Sequence, residues 1–97
     1  MATYVTLATF TDQGIRNIKD SPKRAEAFKK AAKQAGVTVK EILWMQGQYD
    51  FVTITEASDD IAASALTLSI AKLGNVRGQT LRAFTAAEME KILEKVA

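Results

Sequence analysis

The chain has 97 residues, 47% of them hydrophobic and 25% charged, with a formal net charge of +2. That length holds one core, so a single α/β domain over residues 1–97 is expected. Cysteine and histidine are both absent, which excludes disulfides, thiolate metal sites, a cysteine nucleophile, the usual neutral-pH base and every Ser-His-Asp arrangement; no metal or cofactor site is expected.

The N-terminal run Met1 to Phe10 lacks the pattern of a signal peptide, and no apolar run approaches a membrane span of roughly 18 residues. A cytoplasmic protein with no membrane partner is expected. A charge of +2 is too small to demand a nucleic-acid partner. The charge is uneven, however. Residues 16–40 hold eight basic residues against two acidic ones, and the remainder holds five against nine.

Tyr4 to Phe10 is rich in β-branched and aromatic residues and reads as a first strand. Alternation sends Val5 and Leu7 to one face and Tyr4, Ala8 and Phe10 to the other. Thr11 or Asp12 caps a short helix carrying Ile15 and Ile18. Ser21-Pro22 then restarts a helix, with Ser21 as N-cap, an apolar stripe of Ala25, Phe28, Ala32 and Ala35, and Gly36 as terminator. Its other face carries Glu26, Lys29, Lys30 and Lys33.

Val37 to Gln46 reads as the second strand, with Val37, Val39, Leu43 and Met45 on one face and Ile42 and Trp44 on the other. Phe51 to Glu56 is the third, with Val52 and Ile54 opposed to Phe51, Thr53 and Thr55. The turn between them contains Gly47, Tyr49 and Asp50. Ser58 or Asp59 caps the next helix, whose stripe is Ala62, Ala65, Leu66, Ser69, Ile70 and Leu73 before Gly74. Val76 to Thr85 is the fourth strand. Thr85-Ala86-Ala87-Glu88 matches a capping box, and Met89, Ile92, Leu93 and Val96 follow as the buried face of a last helix.

The order βαββαβ with an added helix is that of the ferredoxin-like α+β fold, a four-stranded antiparallel sheet with two helices on one face. A sheet face left to water should alternate apolar with polar residues. The first two strands instead place aromatic or branched aliphatic residues on both faces, so the open face is expected to be covered by a second subunit, in a homodimer or higher homo-oligomer, with room for a small-molecule ligand between them. The C-terminal helix folding across that face is the alternative.

Several stretches together resemble the GYD domain family: Phe10-Thr11-Asp12-Gln13-Gly14-Ile15, Pro22-Lys23-Arg24, Gly47-Gln48-Tyr49-Asp50, Gly74-Asn75-Val76-Arg77 and Thr80-Leu81-Arg82-Ala83-Phe84. The turn departs from a strict Gly-Tyr-Asp, because Gln48 stands before Tyr49. The resemblance spans nearly the whole chain. It implies a small protein of the dimeric α/β barrel kind, without an established activity.

Four residues stand out as ligand-binding or interface candidates. Tyr49 and Asp50 present a phenol and a carboxylate that suit acid-base or hydrogen-bonding work, though a structural turn accounts for them more simply. Arg82 shares a strand face with Thr80 and Phe84, a setting for an anion or for a surface ion pair; Arg77, an odd number of positions away, faces the other side. Trp44 reads as core, interface or ligand platform. Gly14, Gly36 and Gly74 read as helix-end glycines. The basic helix invites comparison with RNA-recognition modules, but Phe51 to Glu56 lacks their stacking aromatics and basic residues. The functional expectation is a non-catalytic homo-oligomeric module that binds a small molecule or a partner at the sheet interface. The alternative is a metal- and histidine-independent oxygenase or isomerase acting on a small hydrophobic substrate.

Overall fold

The computed structural model describes all 97 residues. The elements are β1 (Ala2–Phe10), α1 (Asp12–Arg16), a 3-10 turn (Ile18–Asp20), α2 (Ser21–Gln34), β2 (Val37–Trp44), β3 (Phe51–Ala57), α3 (Asp60–Ala71), β4 (Val76–Ala83) and α4 (Ala86–Glu94). The strands form one antiparallel sheet in the order β2-β3-β1-β4. This is the expected ferredoxin-like α+β arrangement with an added C-terminal helix.

Side-chain caps set most helix starts. The Thr11 hydroxyl accepts from the Gly14 N–H at 3.1 Å and opens α1, and the Asp59 carboxylate accepts from the Ala62 N–H at 2.7 Å and opens α3. Both halves of the capping box are made at α4, Glu88 N–H to Thr85 Oγ1 at 3.2 Å and Thr85 N–H to Glu88 Oε1 at 2.9 Å. At α2 the cap position falls on Asp20 rather than Ser21, which leaves the Ser21 hydroxyl free for a tertiary contact.

Gly36 and Gly74 follow α2 and α3 with φ of +77° and +86°, the left-handed conformation that ends a helix. Gly14 differs from the expectation. It lies inside α1, and a Cβ there would stand 2.0 Å from the Asn75 carbonyl oxygen, so close backbone approach, and not helix termination, calls for glycine.

The second strand corrects the even alternation expected of it. Its register against β3 shifts between Val39 and Glu41, with Lys40 as the extra residue of a bulge. The Lys40 ammonium lies 3.6 Å from the Glu56 carboxylate. The shift brings Val37, Val39, Ile42 and Trp44 opposite Ala57, Thr55, Thr53 and Phe51, so all four share one face. The physical gain is plain, since without the extra residue a polar pair would split the strand's apolar residues between two faces.

Helices α2 and α3 cover that face. Tyr4, Ala32, Val37, Ala57 and Leu66 form the buried cluster, with Phe28, Ala31, Ala63 and Ile70 packed against it. The inward side of α3 is Ala63, Leu66, Thr67 and Ile70, while Ala65, Ser69 and Leu73, expected in its stripe, are exposed. Only ten of the 97 residues are buried. The radius of gyration of 14.6 Å exceeds the roughly 12.5 Å expected of a compact chain this long. Helix α4 accounts for part of that excess. It makes little contact with the sheet or the other helices, and Met89, Leu93 and Val96, expected to be buried, face outward.

Candidate functional site

Between the sheet and helices α2 and α3 lies a cavity of about 390 Å³. Its origin is residue size. Gly78 and Ala8 stand side by side on β4 and β1, and alanines at 25, 31 and 63 line the roof, where larger side chains would fill the space. The register places Ile42, Thr53, Thr6 and Thr80 in one row across all four strands, flanked by the row Trp44, Phe51, Ala8 and Gly78 and by the row Val39, Thr55, Tyr4 and Arg82. The floor of an otherwise apolar cavity is therefore a band of hydroxyls.

Those hydroxyls are not equivalent. Thr6 and Thr80 hydrogen-bond each other at 2.9 Å, Thr67 donates to the Ala63 carbonyl at 3.0 Å and Ser69 to the Ala65 carbonyl at 2.8 Å. Thr53 and Thr55 are more than nine-tenths buried, and their hydroxyls have no hydrogen-bond partner within the chain. No side-chain oxygen sealed from all surrounding space goes unpaired, so these two hydroxyls open onto the cavity. At the far end of the band the Tyr4 hydroxyl donates to the Asp60 carboxylate. That hydrogen bond, with burial and the negative charge of Asp60 behind it, raises the Tyr4 phenol above its ordinary value.

The four candidates from the sequence do not converge. Trp44 lines the cavity, is about half exposed and donates its indole N–H to Ser21 Oγ at 3.0 Å, which pins it beside the start of α2. Asp50 closes the hairpin onto β1. Its carboxylate accepts from the Phe10 N–H at 2.8 Å, its own N–H donates to the Ala8 carbonyl at 2.8 Å, and its carbonyl accepts from the Met45 N–H at 2.7 Å. Tyr49 is half-buried in the same turn, where Gly47 has φ +113°. Neither Tyr49 nor Asp50 lines the cavity.

Arg82 lies beyond the cavity's end. Its guanidinium stacks 4.4 Å from the Phe84 ring centroid, sits 5.8 Å from that of Tyr4 and lies 3.6 Å from Glu88. The β1–β4 register runs unbroken from Arg77 to Arg82, so the two arginines occupy opposite faces. Thr53 and Thr55 were within reach of the sequence, because alternation along Phe51 to Glu56 puts them on one face. Their junction with Thr6 and Thr80 required the strand order.

The other sheet face has no helix over it. In register it carries Leu43, Val52, Leu7 across β2, β3 and β1, and Ile54, Val5, Leu81 across β3, β1 and β4. Leu43 and Leu81 are 52% and 40% exposed. The apolar residues that make this face stand on all four strands, and β2 supplies only Leu43 to it within the ladder, flanked by Glu41 and Thr38.

Sheet order, a hydroxyl-floored cavity beneath two helices and a bare apolar face define a small ferredoxin-like α+β protein. A model of the GYD domain matches residues 4–93, and the chain belongs to the GYD domain family. It is 32% identical over 90 residues, 92% of this chain and 95% of the relative, to a Thermus thermophilus protein named glutamine synthetase and cystathionine beta-lyase binding protein. Among solved structures it is similar to TTHA0845 from Thermus thermophilus, with 25% identity, a TM-score of 0.57 and coverage of 89% of this chain and 96% of the other. It also resembles the C-terminal domain of the MgtC protein from Mycobacterium tuberculosis at 12% identity and a TM-score of 0.57, over 86% and 88% of the two chains. That second likeness is one of fold alone.

Proposed function

We propose that this protein is a non-catalytic, homo-oligomeric binding module, working in the cytoplasm, in which a second copy of the chain covers the bare sheet face. The observation that carries the reading is the composition of that face: Val5, Leu7, Leu43, Val52, Ile54 and Leu81 gathered in adjacent register positions with no element of their own chain above them. Monomers rarely leave such a patch in water. Four strands about 4.8 Å apart and about seven residues long give a face of roughly 450 Å². A stable interface takes about 800 Å² from each partner. The outward residues of α4, Met89, Leu93 and Val96, supply the kind of surface that makes up the difference.

The relative named for binding two enzymes supports a protein as the further partner. An oxygenase or isomerase would need Tyr49, Asp50 and Arg82 gathered around one void, and of the four candidates Trp44 alone lines it. The experiment is light scattering coupled to size exclusion, with native mass spectrometry for subunit number. A dimer or larger assembly at micromolar concentration is expected, and a monomer would overturn the reading. Sedimentation of the protein with purified glutamine synthetase checks the partner; co-sedimentation is expected, and independent migration at tens of micromolar would remove that half of the proposal.

A further inference from the structure

We propose that the cavity between the helices and the sheet is a binding site for a neutral, largely hydrocarbon small molecule bearing one or two hydroxyl or carbonyl groups, anchored by the free hydroxyls of Thr53 and Thr55. The site lies on the opposite side of the sheet from the oligomer face and stands whether or not that face is covered.

Three observations carry this. The cavity, at about 390 Å³, falls within the range of small-molecule sites, which are mostly apolar with a few placed polar groups. Its walls are Phe28, Leu66, Ile70 and Phe51, with Trp44 at the mouth, about half exposed and held by Ser21. The β4 edge of the space is open, with Gly78 and Thr80 exposed, so a ligand has a way in and displaces water from apolar walls.

The polar groups then select the class of ligand. Thr6, Thr80, Thr67, Ser69 and the Tyr4 hydroxyl are all engaged within the chain. Thr53 and Thr55 are not, although each is more than nine-tenths buried. A threonine hydroxyl both donates and accepts, so the pair suits a ligand hydroxyl or carbonyl. Charge is disfavoured. The one formally charged side chain in the lining is Arg24, and its guanidinium is turned to the Asn17 carbonyl at 2.9 Å and the Gly14 carbonyl at 3.4 Å. A carboxylate entering the cavity would lose its water without gaining an ion pair.

The test titrates the full chain, by calorimetry, with three probes sharing one apolar body: biphenyl-4-ol, biphenyl and biphenyl-4-carboxylate. Methyl-labelled protein reports where they bind. The alcohol is expected to bind at least about tenfold more tightly than the carboxylate and to shift the methyls of Leu66 and Ile70. In Thr53→Val/Thr55→Val the alcohol should lose about three- to tenfold in affinity, the worth of one net hydrogen bond, while biphenyl binds as before. No saturable binding by any probe, a carboxylate as tight as the alcohol, or shifts confined to Val52 and Ile54 on the opposite face would each overturn the proposal. If the double variant does not fold, the three probes on the unmodified protein still decide it.

Discussion

The face under α2 and α3 carries Thr6, Thr53, Thr55 and Thr80 among Tyr4, Val37, Val39, Ile42, Trp44, Phe51 and Ala57, while the face without helices carries Val5, Leu7, Val52, Ile54, Leu43 and Leu81 among Thr3, Thr9, Glu41, Glu56, Arg77 and Gln79. A helix-covered face is ordinarily the apolar one, and a solvated face ordinarily alternates with polar residues. The contrast is one of order: the covered face sets its hydroxyls between apolar rows, and the open face sets its apolar rows between polar ones. One face leaves space beneath its helices, and the other leaves an apolar band that no element of its own chain covers.

The largest expected effect breaks that contrast at the open face. Val5 sits between Ile54 and Leu81 in the register, so Val5→Glu places a carboxylate at the middle of the proposed interface. Association should weaken by about a thousandfold or more, the cost of desolvating an unpaired charge. Light scattering should then report monomers. An unchanged assembly would show that the subunits meet elsewhere.

On the covered side, Gly14→Ala puts a methyl 2.0 Å from the Asn75 carbonyl oxygen, a backbone atom that yields only if α1 or the start of β4 moves. We expect a loss of about 2–3 kcal/mol in urea unfolding. A smaller pair of effects separates the hydroxyls. Thr6→Val removes the partner of Thr80 at 2.9 Å and should cost about 1 kcal/mol, whereas Thr53→Val, with no partner to lose, should leave the unfolding midpoint nearly unchanged. Equal costs for the two would contradict the division of the floor into engaged and free groups.

The smallest expected effect concerns α4, whose Met89, Leu93 and Val96 are exposed. The Thr85 backbone N–H, and after it the Thr85 hydroxyl and the Arg82 guanidinium, lower the Glu88 carboxyl below its ordinary value. A carboxyl lowered in the folded state stabilises above its unfolded value, and that stabilisation is lost as pH falls through the lowered value. Helix α4 should therefore fray below the ordinary glutamate range, seen as amide shifts of residues 86–94, and Glu88→Gln should abolish that pH dependence. The exposure of the group keeps the effect small.

Much of this was legible in local chemistry. The strand and helix order, the Thr85–Glu88 capping box, Gly36 and Gly74 as helix terminators and the opposed faces of β1 all follow from short-range patterns of two or a few residues. Period-two alternation failed at Lys40, because a bulge is decided by which side chains meet across the ladder, and it moved Val37 and Val39 to the side of Ile42 and Trp44. Gly14 departs from the helix-end role expected of it for a similar reason, since its contact lies 61 residues away at Asn75.

The amino-acid order alone determined that this chain makes a ferredoxin-like α+β fold of the GYD kind, because periodicity, caps and turn glycines act over a few residues. Only the tertiary structure decided that Thr6, Thr53 and Thr80 would form one row, that Tyr49, Asp50 and Arg82 would stand apart from it, and that α4 would leave the open sheet face bare. Those outcomes depend on strand order and register, which bring together residues as far apart as Thr6 and Thr80, and no local pattern encodes them.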